Sequence, residues 1–340
     1  MGLAAVAATF ALGACSPGQA TPTQDESAAG TGSAWGDVEA RASSQGTVRI
    51  YTTLVPAVND SVTEAFNEQY PNISLEFVRG TATELSARLD AEIASGSDGA
   101  DVIVDLNPLW FEANVDNFTS LDELPAAEGW PDDGWLEDGL VPMVVISTQA
   151  MITWNTDIFP DGFADWPDVL DSDVDGRLGI YENPNENTAT YYDWLERLNG
   201  DDYLPQLAEL SPKFYPSVVP MTQAIASGEI GVSLFNVPSI VKELQEAGAP
   251  LDYVVPDDTE GGFFTAGVLD NAKRPDAALL FTDFLMTPEG QEALNGNGFA
   301  ASVLPDIPGT IQPESIFLLG DEPRTDVEAM NARFAEVFGR

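Results

Sequence analysis

Residues 47–105 read TVRIYTTLVPAVNDSVTEAFNEQYPNISLEFVRGTATELSARLDAEIASGSDGADVIVD, and their periodicity decides the fold. Thr47 to Tyr51 is a short β-prone run. Val62 to Tyr70 has the apolar spacing of an amphipathic helix and stops at Pro71, which cannot continue one. Ile73 to Val78 alternates apolar and polar residues as a strand does. Leu85, Leu89 and Ile93 put a helix over Thr83 to Ile93, and Asp101 to Asp105 is a compact strand. Strand, helix, strand, helix, strand at this spacing predicts a parallel sheet with right-handed crossovers. Ligands of such sheets sit beyond the carboxyl ends of the strands.

Outward from this stretch, Met143 to Trp154 is β-prone, and Gly179 to Tyr181 opens a new strand–loop–helix unit with its helix near Tyr191 to Leu198. Ile230 to Phe235 reads as a strand, Ser239 to Ala247 as a helix and Leu251 to Val255 as a strand. After Gly262 come a strand, a turn at Arg274-Pro275, a helix from Asp276 to Met286 and another helical turn from Pro288. No repeat of solenoid period is visible. The expected organisation is α/β in two lobes, with crossings near Thr153 and Phe263. Lobe 1 would hold residues 47–152 plus 263–340 with the C-terminal helices, and lobe 2 residues 153–262. A length of 340 residues fits two domains.

Residues 1–14 are apolar and uncharged, too short a run to span a bilayer as a helix. They read as the core of a secretory signal, residues 1–15 in all. The basic start of such a signal is absent, so the true start codon is expected upstream. Leu12-Gly13-Ala14-Cys15, followed by Ser16-Pro17, resembles a bacterial lipobox, in which Cys15 would carry the lipid anchor. The alternative is a buried N-terminal helix with an inert Cys. Residues 16–46, rich in Gly, Ala, Ser, Thr, Pro and Gln, read as a flexible tether.

Composition removes whole classes of function. Thirteen Lys and Arg against 56 Asp and Glu, with no His, give a net charge of −43. Such a chain cannot neutralise a phosphate backbone, so no nucleic acid is expected as a partner. It would not dock by charge on an anionic lipid surface either. Without His there is no imidazole ligand, no His base and no Ser-His-Asp triad. One Cys allows no intrachain disulfide and no multi-Cys metal site. A hydrolase or lyase would need Asp, Glu or Tyr as its base, and no nucleophile–base pair of suitable spacing is visible. The chain is therefore expected to be no enzyme and to need no cofactor.

Seven stretches, in order, carry a family resemblance: RIYTTL, FVRGTATELSARLDAE, ADVIVDLNPLWFEA, MITWNTDIFP, LGIYENPNENTATYYDWLERLNGDD, QAIASGEIGVSLFN and KRPDAALLFTDFLMTPEGQEAL. Across residues 47–305 the chain resembles the solute-binding proteins of ATP-binding-cassette (ABC) importers, in particular the ferric-ion, phosphonate and thiamine-type group. The resemblance implies a two-lobe periplasmic-binding-protein-like fold of type II with a hinged interlobe cleft. It implies a monomer that captures a small-molecule solute and delivers it to a permease and its ATPase. Together with Cys15 it implies export and a lipid anchor on the outer face of the cytoplasmic membrane. A solute-sensing ectodomain is the other role such a body could have.

Several residues should face the cleft. Thr52 and Thr53 follow the first strand and could hold an oxyanion, or simply cap the strand end. Arg79, Gly80 and Thr81 precede a helix whose amino end favours an anion; Arg79 could equally make a surface ion pair. Asp105 and Asn107 close the third strand, either at a ligand or as a helix cap. In the second lobe Asn187 and Thr188 lead into a helix and could offer N–H groups or act as N-caps. Trp154 and Phe263, with Phe264, could form apolar walls, and Asn236 and Ser239 could hydrogen-bond the solute.

Ferric-binding relatives hold the metal with two adjacent Tyr shortly after a GEI-type strand. Here that place is Val237-Pro238, the first loop reads Leu54-Val55-Pro56-Ala57, and Trp154 precedes Asn155 where some relatives have Tyr. A Tyr-ligated iron is therefore not expected, and no metal ligands are assigned. Iron could still enter as a chelate, or through Tyr191 or Tyr192, of which one should be core and the other rim. A polyamine suits the global charge; Arg79 and the Thr-rich loops favour a carboxylated or phosphorylated anion, because local groups outweigh screened surface charge. Asp171-Ser172-Asp173-Val174-Asp175-Gly176, with Glu182 beyond, has the spacing of an EF-hand loop, yet it leads into a strand rather than a helix.

Acids such as Asp98, Asp101, Asp132 and Asp133 read as a solvated, salt-adapted surface. Cations should screen the self-repulsion of such a surface. The thermal midpoint is expected to rise when NaCl is raised to molar concentration; a flat response would leave the acidity as a matter of solubility alone.

Overall fold

The computed structural model describes residues 34–182, 185–298, 300–318 and 324–340. The apolar leader, Cys15 and the first part of the expected tether lie outside the described residues, as do Asn183 and Pro184. In chain order come α1 (Ala34–Gln45), β1 (Thr47–Thr52), α2 (Pro56–Gln69), β2 (Ser74–Arg79), α3 (Ala82–Ser95), β3 (Val102–Asp105), α4 (Pro108–Ala113), β4 (Trp135–Glu137) and β5 (Val141–Thr148). Next are β6 (Ala150–Asn155), β7 (Leu178–Tyr181), α5 (Glu186–Asn199), α6 (Tyr203–Glu209), β8 (Lys213–Tyr215), α7 (Val218–Ala226), β9 (Val232–Phe235), α8 (Pro238–Glu246) and β10 (Leu251–Val254). The chain ends with β11 (Asp258–Val268), α9 (Pro275–Met286), α10 (Pro288–Asn295), β12 (Ala300–Ala301), β13 (Ser315–Leu318) and α11 (Val327–Phe338).

Two sheets result. The first runs β12-β5-β11-β3-β1-β2, with β13 on β11 and β4 on β5. Here β2, β1 and β3 are parallel, and β11 returns antiparallel beside β3. The second runs β10-β6-β9-β7-β8, its β8, β7 and β9 parallel. Each sheet is the floor of its own core. In lobe 1, α2 buries Val62 and Phe66 and meets Phe281 and Phe284 of α9 edge to face. In lobe 2, Tyr191 and Trp194 of α5 pack with Phe235 and Trp166.

The β-prone run Met143–Trp154 is two strands in different sheets, broken at Gln149. The first two crossings therefore lie at Thr148–Ala150 and just before Asp258, while Thr153 and Phe263 sit inside β6 and β11. The two passes are tied together by hydroxyls. Thr148 Oγ1 accepts from the Ala150 N–H at 3.0 Å and donates to the Glu260 carbonyl. Thr259 Oγ1, 3.0 Å from that of Thr148, donates to the Ala150 carbonyl at 2.8 Å. Both side chains are buried.

Both chain ends depart from expectation. Residues 34–45 of the expected tether form α1, which docks on α9. Its Arg41 pairs with Asp276 at 2.7 Å, and Gln45 Oε1 accepts the Ala277 N–H at 2.8 Å. Beside these polar contacts Trp35 and the buried Ala42 pack on the lobe 1 core, a sparse apolar stripe among Gly, Ala, Ser and charged residues. The C-terminal segment does not all belong to lobe 1. Helix α11 packs on α5 and α6 of lobe 2: Phe334 meets Tyr192, Phe338 meets Phe214, and Arg333 pairs with Glu196 at 3.1 Å.

Asp101 is no surface acid. It is fully buried, pairs with Arg274 Nε at 2.6 Å, and accepts the backbone N–H groups of Arg49, Lys273 and Arg274. It thus ties the start of β3 to the entry of α9. Replacing one partner of a buried pair strands the other. Asp101→Ala is expected to cost about 3–5 kcal/mol in urea unfolding; a loss within the range of a surface substitution would show the pair to be dispensable.

Candidate functional site

The parallel register levels Thr52 with Arg79 and Val104, which gathers the carboxyl ends of β1, β2 and β3 at one edge. Thr52 is buried and its Oγ1 accepts the Leu54 N–H at 3.0 Å, the capping role. Thr53 donates to Asp105 Oδ1 at 2.8 Å. Asp105 is 1% exposed, and its Oδ2 has no partner. Gly80 N–H reaches the Thr52 carbonyl at 3.4 Å. Thr81 forms a capping box with Glu84 at the start of α3. Arg79 is exposed, and its Nε donates to the Leu54 carbonyl at 2.6 Å, so it braces the first loop. Asn107 Nδ2 reaches Ser86 Oγ at 3.4 Å.

In lobe 2 the N-cap of α5 is Asn185, whose Oδ1 accepts the Thr188 N–H, rather than Asn187 or Thr188. Asn187 instead donates to Gln149 Oε1 at 3.2 Å, and Gln149 also takes the Asn236 N–H on its carbonyl at 2.9 Å. Asn236 is fully buried; its Oδ1 accepts from Thr222 and Val237, and its Nδ2 has no partner.

Two cavities adjoin between the lobes. One of about 580 Å³ is lined by Leu106, Asn107, Pro108, Phe263, Glu186 and Thr190, among others. The other, about 370 Å³, shares Leu106, Pro108 and Phe263 and adds Ser147, Gln149, Asn187, Glu260 and Gly262. The β3–α4 loop makes one wall, the start of α5 the other, and β11 the floor. Leu106 and Leu109 stand at this cleft with about half their surface exposed, at 49% and 58%.

Some expected site residues lie elsewhere. Trp154 is part of the lobe 2 core, edge-on to Phe163 at 5.8 Å, because β6 turns it away from the cleft. Thr188 faces a separate space under α11 with Tyr192 and Phe334. Ser239 is exposed at the start of α8 and lines neither cleft cavity, and Arg79 lines neither as well. Tyr191 and Tyr192 are both core, not one core and one rim. Tyr191 donates to the Leu234 carbonyl at 2.8 Å and Tyr192 to the Tyr181 carbonyl at 2.6 Å. Burial pushes both phenols well up, against phenolate formation. Glu182, the closing residue of the EF-hand-like spacing, pairs with Arg340 at 2.7 Å, which holds its carboxyl below the usual range. Among the described residues no three carboxylates gather as a metal cluster.

Sequence reasoning missed Gln149, Gly262 and Glu260. Glu260 is 2% exposed, its Oε1 has no partner, and burial pushes its carboxyl up to about 8. One signal was present: strand alternation puts Glu260, Gly262 and Phe264 on one face.

The bacterial extracellular solute-binding protein family matches residues 61–310. A Haemophilus influenzae protein described as uncharacterized is 24% identical over 293 residues, 78% of this chain and 80% of that one. Iron-bound HitA of Pseudomonas aeruginosa superposes with a TM-score of 0.59 at 16% identity, over 86% of this chain and 99% of that one. AfuA of Actinobacillus pleuropneumoniae, with fructose-6-phosphate bound, gives 0.52 at 18% over 86% and 99%. A putative extracellular solute-binding protein of Bordetella parapertussis gives 0.64 at 15% over 87% and 98%. These structures share the fold of two lobes about a cleft. They are binding proteins rather than enzymes, and this chain belongs to the bacterial extracellular solute-binding protein family.

Proposed function

We propose that this chain is the solute-capture component of an ABC importer. It takes a small organic solute into the interlobe cleft, closes on it, and presents the closed form to a permease driven by its ATPase. The observation that carries this is the continuous cleft with walls from both lobes. A solute that touches the β3–α4 loop and α5 at once favours the closed form by what it gains from bridging them. The cavity sizes suit a small organic molecule, and Leu106, Pro108 and Phe263 supply apolar wall around a few polar groups. Export, a lipid on Cys15 and a monomeric state belong to the same reading. Among the described residues no helix is long and apolar enough to cross a membrane.

The iron alternative draws less support. HitA is described as iron-bound, but here the tyrosines considered for the metal are buried and committed to carbonyls. A chelated metal would need no such ligands. The anionic solute also loses ground, because Arg79 is turned to a backbone carbonyl outside the cleft wall.

Thermal unfolding with ferric citrate, hexose phosphates, phosphonates, thiamine and polyamines tests this. A captured solute at a hundred times its Kd should add about 2.7 kcal/mol, and small-angle scattering should show a smaller radius of gyration. Phe263→Ala should weaken that binding about tenfold, roughly 1.4 kcal/mol, by removing the shared wall. Stabilisation that tracked Fe(III) alone would replace this reading with a metal carrier.

A further inference from the structure

We propose that Glu260, with the open space over Gly262 and the ring of Phe264 beyond it, is a cation socket, and that the captured solute carries an ammonium group. This rests on the cleft being the capture site and adds the chemistry of what it captures.

A buried carboxylate without a partner costs the fold free energy. The other buried acids have compensation: Asp101 has Arg274 and three backbone N–H groups, Asp283 has the Ala126 N–H, and Asp105 has Thr53. The Thr148 hydroxyl reaches only the backbone carbonyl of Glu260; the carboxylate Oε1 has no partner among the described residues, although Glu260 lines the 370 Å³ cavity. The groups that share its surroundings are uncharged. They are Ser147 and Thr148 from β5, Gln149 from the crossing, Asn187 and the Tyr191 phenol from α5, and Phe317 opposite it on β13. No Lys lines either cavity. In the adjoining one, Glu112, Asp133 and Glu186 outnumber Arg324.

The space is shaped for an incoming group. A Cβ at Gly262 would meet nothing within 4 Å, so the strand is bare where a ligand would lie beside the carboxylate. At Gly261 a Cβ would come within 2.6 Å of the Ser147 carbonyl, so the strand needs glycine there to sit against β5. Phe264 lines the same cavity, and an aromatic ring there would attract a cation to its face. An ammonium would supply the charge that Glu260 lacks and release the proton that burial favours. The net charge of −43 draws cations toward the cleft as well.

Calorimetry on the intact protein decides it, with choline and putrescine as cationic probes, 1,4-butanediol as the neutral match and citrate as the anion. A cationic probe should bind, and Glu260→Gln should weaken it at least tenfold. Choline keeps its charge at every pH, so its affinity should fall about tenfold per pH unit below about 8, as Glu260 takes up its proton. The variant should also stay folded. The carboxyl lies above its unfolded value of 4.5, so ionising it destabilises the native state, increasingly as pH rises from there to about 8. Glu260→Gln should therefore melt no lower than the parent at pH 9.

Cation binding that the variant leaves unchanged would overturn the socket. So would tighter binding of citrate or butanediol, while the capture reading stood. Failure of both cationic probes to bind would overturn the socket, and silence across the wider solute panel as well, with no compaction in scattering, would overturn both.

Discussion

Two buried hydroxyls hold the molecule to its plan. The lobes have separate cores, and a cleft between them keeps its shape only if the passes of chain that join them stay in register. Thr148 and Thr259 supply that constraint, each bonding to the backbone of the other pass. A buried hydroxyl must be partnered, so neither strand can slip without leaving polar groups bare. The next residue on each pass is Gln149 or Glu260, and both line the cleft. Gln149 in turn receives Asn187 and Asn236 from lobe 2. The polar groups of the site inherit their positions from the tie between the passes.

The sequence was legible where burial leaves a period. The β1 to β3 unit reads clearly because its strands alternate or run apolar, and its helices repeat every three or four residues. The crossing at Gln149 was hidden, since the residues on both sides of it are apolar and β-prone although they belong to different sheets. Helix α1 docks through Arg41 and Gln45 and through Trp35 and Ala42, an apolar stripe too sparse to stand out in a stretch rich in small and polar residues. The carboxyl-end loops of lobe 1 were found from topology alone. Which of their side chains serve a ligand was not legible, because capping and ligand binding ask for the same residue types. Thr52 and Thr81 turned out to be caps.

Acidity was the strongest compositional signal, and it concealed the most informative residue. In a chain with 56 acids, another acid in Pro256-Asp257-Asp258-Thr259-Glu260 carries no mark in the sequence. Depth separates them: Asp257 and Asp258 are exposed while Glu260 is buried. The aromatic signals misled in the opposite sense, since Trp154 was read as a cleft wall and one of Tyr191 and Tyr192 as rim, and all three are core.

A partnerless buried carboxylate is worth keeping in a receptor for a physical reason. A group already neutralised by the protein interacts about equally with the free and the bound form. One left unsatisfied gains its partner only when the solute arrives. The free energy that Glu260 withholds from the empty protein is then recovered on capture, and it favours the state in which solute bridges both lobes. Because Glu260 lies on β11 immediately after Thr259, that gain is felt at the passes that join the lobes. A carboxylate on a peripheral loop could bind the same charge, but it would not couple binding to closure through the strands that closure must bend.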